Sequence, residues 1–430
     1  MRYEPYVSYL DKFFKPSFFI AIIILYAPLS FGDYLFLPIN YFQVTMFCIF
    51  FVILLSYHKI FENIVSINKL LLLAVILLAL SFYTSMIFGV EYRGNLTSIT
   101  IYDSSFIGVF KAVTTFVVMQ VLLIFFIYNS VENIQEIRFF INIFLISGVL
   151  VNIYLIYEIS SSFTGRLGGP FPDYNYLGRF EVFMILTSSI LFFDSRKKNL
   201  LKVLFGINVI ICTVYLFLTF SRSSIITLMI VAPLLYIKHS NRRGKLIYAV
   251  VFLALTYLLL MVVTAKRLSS GIYAEAGFIT QLLFEPSNIT RFIANYAALQ
   301  MFFDYPIFGV GYHNFYNLYL NYDYKIYTFG VAFITVVHSW LFALLAEQGI
   351  MGTVPFLYIL YSTFKKLNSV IKRTLGEYRT YGLILYSLLL ILIIHGLFNH
   401  TLFPDVTFGL IFGFIAAYVK LSKEVKGIRS

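Results

Sequence analysis

Apolar runs long enough to cross a hydrocarbon layer of roughly 30 Å recur along the chain, with mostly short polar connections between them. At about 20 residues per crossing, the pattern predicts about twelve helices. They fall near 16–32, 37–57, 69–90, 105–128, 138–160, 179–194, 200–219, 223–238, 246–264, 335–363, 379–398 and 404–421. The expected fold is an all-α polytopic membrane protein. Residues 1–264 hold nine spans and residues 335–430 the last three with a tail; between them, 265–334 form the only long connection.

That connection is not featureless. "SNITRFIANYAALQMFFDYP" has a helical pattern, with Ile293, Ala297, Gln300 and Met301 recurring on one face; Ser287 or Asn288 can cap its start and Pro306 ends it. The segment "PIFGVGYHNFYNLYLNYDY" that follows is rich in Gly and Tyr, as suits a turn leading into an interfacial aromatic stretch. A connection of this length is usually functional or disordered, and its aromatic content speaks against disorder. A partly helical lid on the outer membrane surface is expected.

Charge fixes the orientation. The basic connections "DSRKKN", "KHSNRRGK" and "FKKLNSVIKRTLGEYR" and the tail "KLSKEVKGIRS" all fall on one side. With the N-terminus and two weaker loops they hold roughly 23 of the 32 Lys and Arg, which makes that side and both termini cytoplasmic. The net charge of +12 is thus a topology signal and not a nucleic-acid footprint. Composition agrees: 60% of residues are hydrophobic and 12% charged, against about 25% charged in soluble domains. Cys48 and Cys212 lie inside apolar runs without metal spacing, so neither a disulfide framework nor a zinc site is expected. The first apolar run lacks a small-residue cleavage site and reads as a retained helix.

Positive charge on the outer side or within the membrane needs a reason. Arg93, Lys111, Arg166, Arg179, Arg222, Lys266, Arg267, Arg291 and Lys325 are those residues. Lys111, in "SFIGVFKAVTTF", lies about two turns inside the fourth span; it either snorkels to the interface or faces a polar cavity.

Four segments belong to this same side: "GRLGGPFPDYNYLGR", "TFSRSSIITL", "ITRFIANYAALQMFFDYPIFGVGYHNF" and "VHSWLFALLAEQGIMG". In this order and topology they resemble the bacterial O-antigen ligase and polymerase family, membrane glycosyltransferases with a GT-C-like helical fold. The resemblance covers roughly residues 160–360. It implies that Arg222 and Arg291 bind a donor diphosphate and that His338 is the catalytic base. Many members have Asn after that histidine, where this chain has Ser339. The resemblance also implies the bacterial inner membrane, an undecaprenyl-diphosphate-linked glycan as donor, a glycan or lipid-linked glycan as acceptor, and a chain-length regulator protein as a further partner.

The residue chemistry suits that reading. A lipid diphosphate is already a good leaving group, so the enzyme must neutralise phosphate and take a proton from a hydroxyl. Arginine offers a permanently charged planar fork for phosphate, and histidine a base that titrates near neutral pH. Asp173, Asp304 and Asp323 are scattered, with no acidic pair of the kind that holds a metal. A metal-independent, inverting attack without a cofactor is therefore expected. Lys111 is a third candidate for the diphosphate, with Arg166, Glu347 and Gly349 supporting the site: Glu347 pairs within the tenth helix or with a polar neighbour, and Gly349 and Gly352 allow close packing or a bend. His313, His395 and His400 read as structural. Polymerisation is preferred to ligation onto lipid A core. A flippase is the reading from another class, disfavoured because no paired halves with matching broken helices occur.

Overall fold

A computed structural model describes residues 16–26, 69–88, 120–161, 166–171, 173–194, 196–239, 286–312, 314–322, 337–399 and 407–424. Among these residues the secondary structure is helical, without a strand. In chain order the helices are α1 (Pro16–Tyr26), α2 (Lys69–Phe88), α3 (Gln120–Ser130), α4 (Ile134–Ser161), α5 (Tyr174–Phe192) and α6 (Asn199–Leu218). There follow α7 (Arg222–His239), α8 (Pro286–Asp304), α9 (Phe315–Tyr322), α10 (Trp340–Arg373), α11 (Gly376–Phe398) and α12 (Thr407–Glu424). Helices α4, α6, α10 and α11 are each long and apolar enough to cross a membrane. The chain is a multi-pass membrane protein. The expected spans at 37–57 and 246–264 lie outside the described residues, as do Lys111, His313 and His400.

Where apolar runs meet polar punctuation, helix ends fall close to expectation, as at Asn199–Leu218 for 200–219 and Gly376–Phe398 for 379–398. The helical run in the long connection is α8, which starts at Pro286, so that Ser287 and Asn288 fall in its first turn. Proline suits that first position, since its missing N–H would have no partner there.

The apolar faces pack into two cores. The larger joins α1 to α7 with α10 to α12. The smaller is built by α8, α9 and the start of α10, where Ala294, Ala297, Ala298 and Met301 meet Ala343 and Ala346. Small side chains let these helices approach closely. The described part of the long connection is thus a packed helical unit that shares its core with the start of α10.

The tenth helix departs most from expectation. The run 335–363 reads as one span, but Gly349 breaks α10 with φ 59° and ψ −154°. Along an unbroken helix Trp340 and Phe356 would stand about 24 Å apart. Their ring centroids are 5.2 Å apart. The arm 340–348 therefore folds back along the arm 350–373, and His338 sits below the apex at Gly349, not at the tip of a span. Trp340 confirms the level by donating from Nε1 to the Ile393 carbonyl of α11 at 3.0 Å.

What makes the break tolerable is the turn after α8. A continuous helix would bond Ile350 N–H to Ala346 O and Met351 N–H to Glu347 O. Here Ile350 and Met351 donate to Pro306 O (2.9 Å) and Ile307 O (3.1 Å), while Ala346 O and Glu347 O accept from Val310 (2.8 Å) and Gly311 (3.1 Å). Two lost bonds become four. This seam joins the two most distinctive sequence segments, "PIFGVG" and "AEQGIMG".

Candidate functional site

Helix ends gather at one end of the bundle. The N-termini of α5 and α7, the C-terminus of α11, the start of α10 and the helix α8 all contribute polar side chains there. Helix N-termini carry partial positive charge and unpaired N–H groups, so the convergence favours an anion.

The loop before α5 is pinned from two sides. Glu158 of α4 accepts from the N–H groups of Gly168 (3.2 Å) and Gly169 (2.8 Å). Arg166 donates to Thr219 O (3.2 Å) and Phe220 O (3.3 Å) and lies 3.3 Å over the Tyr174 ring. Phe220 has a positive φ of 52°, a conformation that costs a bulky residue on the order of 1–3 kcal/mol. Arg166 thus holds the strained turn that precedes Arg222 at the start of α7.

A chain of hydrogen bonds runs through the interior beside Arg222. Asp173 caps α5 by accepting from Asn175 N–H at 3.0 Å, and also accepts from Asn175 Nδ2 at 3.0 Å. Asn175 Oδ1 accepts from Ser221 Oγ at 2.8 Å, and Ser221 Oγ pairs with Ser224 Oγ at 2.9 Å. Ser224 and Ser223 lie 3.1 and 3.3 Å from Nε2 of His395, which is fully buried in α11. Arg179 of α5, only 4% exposed, and Arg291 of α8 are both within electrostatic reach of His395.

Arg291 also acts on His338, together with Asp173. Burial and then the Arg291 charge push the His338 imidazole down to about 4, against the opposing pull of Asn399 and Asp173. His338 is therefore neutral near pH 7, the form that can accept a proton. Arg291 and His338 come together because α8 and the arm 340–348 run side by side to their shared seam. Arg222 stands between Ser221 and Ser223 at the start of α7.

Glu347 takes part through its backbone: its carbonyl lies in the seam. Gly349 is required there, since a Cβ on it would stand 2.5 Å from Ile307 O. Lys111 lies outside the described residues. The residues that sequence reading left aside are Asn175, Ser221, Ser223, Ser224, His395 and Asn399. His395 and Asn399 carry one signal: they are polar residues four apart in a stretch otherwise apolar.

Residues 207–357 match the family model described as O-antigen ligase. Over this stretch the chain is similar to the O-antigen ligase family. The match takes in Arg222, Arg291, His338 and both halves of the seam. Asp173, Asn175, Arg179, His395 and Asn399 come to the same place from outside the matched stretch. No curated protein matches the chain.

Proposed function

We propose that the protein is a glycosyltransferase of cell-envelope polysaccharide biosynthesis that moves a glycan from a polyprenyl diphosphate to a hydroxyl of its acceptor. The observation that carries this reading is the meeting of Arg291 and a neutral His338 where the helix N-termini converge, with Arg222 at the head of α7. Arg222 and Arg291 take the diphosphate. His338 removes the acceptor proton as the oxygen attacks the anomeric carbon, and the sugar–phosphate bond breaks with its electron pair leaving on the diphosphate. Attack from the opposite face inverts that carbon. The far end of the bundle carries Arg196 and the Lys365, Lys366, Lys372 and Arg373 cluster, which the charge rule assigns to the cytoplasm. The site then faces outward from the inner membrane. Undecaprenyl diphosphate is the carrier available on that side, and a second lipid-linked unit is the acceptor we favour.

The test is incubation of purified protein in lipid with a defined undecaprenyl-diphosphate glycan and either a second such glycan or lipid A core, followed by product analysis. Elongated lipid-linked glycan is the expected product; product on the core sugar would make the protein a ligase. Vesicle-to-lumen movement of the donor with no new glycosidic bond would refute the assignment in favour of a flippase.

The arginines have their own signature. A diphosphate is present in both ground and transition states, and its charge grows as the sugar leaves. Arg222→Ala or Arg291→Ala is expected to raise donor KM and lower kcat together, for a loss in kcat/KM on the order of 10²-fold or more. Lysine at either position should restore only part of it, because it keeps the charge and loses the fork. A variant with unchanged donor KM would remove that arginine from the phosphate site.

A further inference from the structure

Asn399 ends α11 with extended backbone (φ −153°, ψ 140°) and is 6% exposed. It stands beside His338, and the two side chains interact. Yet Nδ1 of His338 and Nδ2 of Asn399 are both buried and neither makes a hydrogen bond of ordinary geometry. Two buried nitrogens without partners in a pair of interacting side chains are unusual, because buried polar atoms are nearly always bonded. Turning the Asn399 amide over exchanges its nitrogen and oxygen without changing its shape. The amide oxygen is then free to accept the Nδ1 proton. Catalytic hydrogen bonds of this kind are often long before substrate arrives and tighten in the complex.

The tautomer follows from that partner. A neutral imidazole that gives its Nδ1 proton to a carbonyl keeps its lone pair on Nε2. We propose that Asn399 is the positioning residue of His338: its side-chain carbonyl holds the Nδ1 proton and leaves Nε2 to take the acceptor's proton. The inference rests on the reading of His338 as the general base. When Nε2 accepts the hydroxyl proton, the ring becomes a cation whose Nδ1–H bond to Asn399 strengthens, as charge-assisted bonds do. The fold supplies the geometry. The arm 340–348 brings His338 down to the level of the outer turn of α11, where Trp340 is locked to Ile393.

The charged groups around the ring come from each packed element. Arg291 stands on α8 and Asp173 before α5, both acting on His338. Arg179 on α5 acts on His395, one turn from Asn399 on α11, and Arg222 heads α7. An amide at position 399 is neutral among them, so it orients the ring without fixing a charge on it.

The test compares Asn399→Ala, Asn399→Asp and His338→Ala in the full-length protein in lipid, with kcat and donor KM followed across pH. Asn399→Ala is expected to lower kcat by on the order of 10²-fold or less, with donor KM unchanged. Asn399→Asp is nearly isosteric and keeps the test open if the alanine variant does not fold. Its carboxylate against Nδ1 should raise the pKa of the ring, so the acid limb of kcat moves to higher pH by about 1 unit or more. A helix cap with no link to the base would not move that limb. Full kcat in Asn399→Ala, or an unmoved limb in a folded Asn399→Asp, would overturn the inference while an inactive His338→Ala left the base assignment standing. An active His338→Ala would overturn both.

Discussion

Replacing His338 by alanine is expected to lower kcat by about 10²–10⁴-fold while donor KM stays nearly constant, since proton removal matters only in the transition state. The pH dependence gives the assignment a sign. The base works only when neutral, so activity is lost as pH falls through the His338 pKa. In the donor-free protein that pKa is pushed down to about 4, by burial first and by the Arg291 charge second. The acid limb of kcat/KM, which reports the free enzyme, should therefore lie well below the ordinary histidine value of about 6.5. A bound diphosphate opposes the Arg291 charge and raises the imidazole pKa. The limb of kcat, which reports the complex, should stand at higher pH than that of kcat/KM. Arg291→Gln should shift the kcat/KM limb upward for the same reason. An alanine variant with full turnover from pH 5 to pH 8 would place the base elsewhere.

Much of the helical frame can be read from the chain because lipid allows few alternatives: every backbone group must bond internally, so an apolar run of sufficient length becomes a helix. Asn199–Leu218 and Ile134–Ser161 follow their apolar runs closely. Arg291 and His338 stand out in the sequence because their segments resemble a known family, and Arg291 also as a positive charge on the side where the charge rule expects few. The serine cluster does not. Ser221, Ser223 and Ser224 flank an arginine that draws attention, and their role depends on Asn175 and His395 arriving from other helices. His395 itself looks like a packing residue in "ILIIHGLFNH" until α7 and Arg179 are placed around it. The break in α10 is hidden for a similar reason. Gly349 and Gly352 in "SWLFALLAEQGIMGTVPF" allow close packing or a bend, but the segment alone does not say that the helix stops, because the groups that replace its bonds belong to residues 306–311.

Gly349→Ala should test that seam with an effect out of proportion to one methyl group. Its backbone, φ 59° and ψ −154°, lies in a region that only glycine occupies readily, and forcing alanine there costs on the order of 1–3 kcal/mol. The added Cβ would also stand 2.5 Å from Ile307 O, so the turn must move away. Movement breaks the bonds from Ile350 and Met351 to Pro306 and Ile307, and each buried group left unpaired costs about 1–3 kcal/mol more. Gly309→Ala should act alike, because its Cβ would meet the backbone of Glu347 from the other side of the same seam. Gly206→Ala is the control: it lies in α6, and its Cβ would meet only the Phe192 ring at 3.4 Å. There alanine should be neutral or gain up to about 1 kcal/mol of helix propensity. The two seam variants should lower the thermal transition in detergent and lose most of kcat, since α8 carries Arg291 and the arm 340–348 carries His338. A Gly349→Ala protein that melts with the control and turns over at the parent rate would mean that the seam does not set the distance between them.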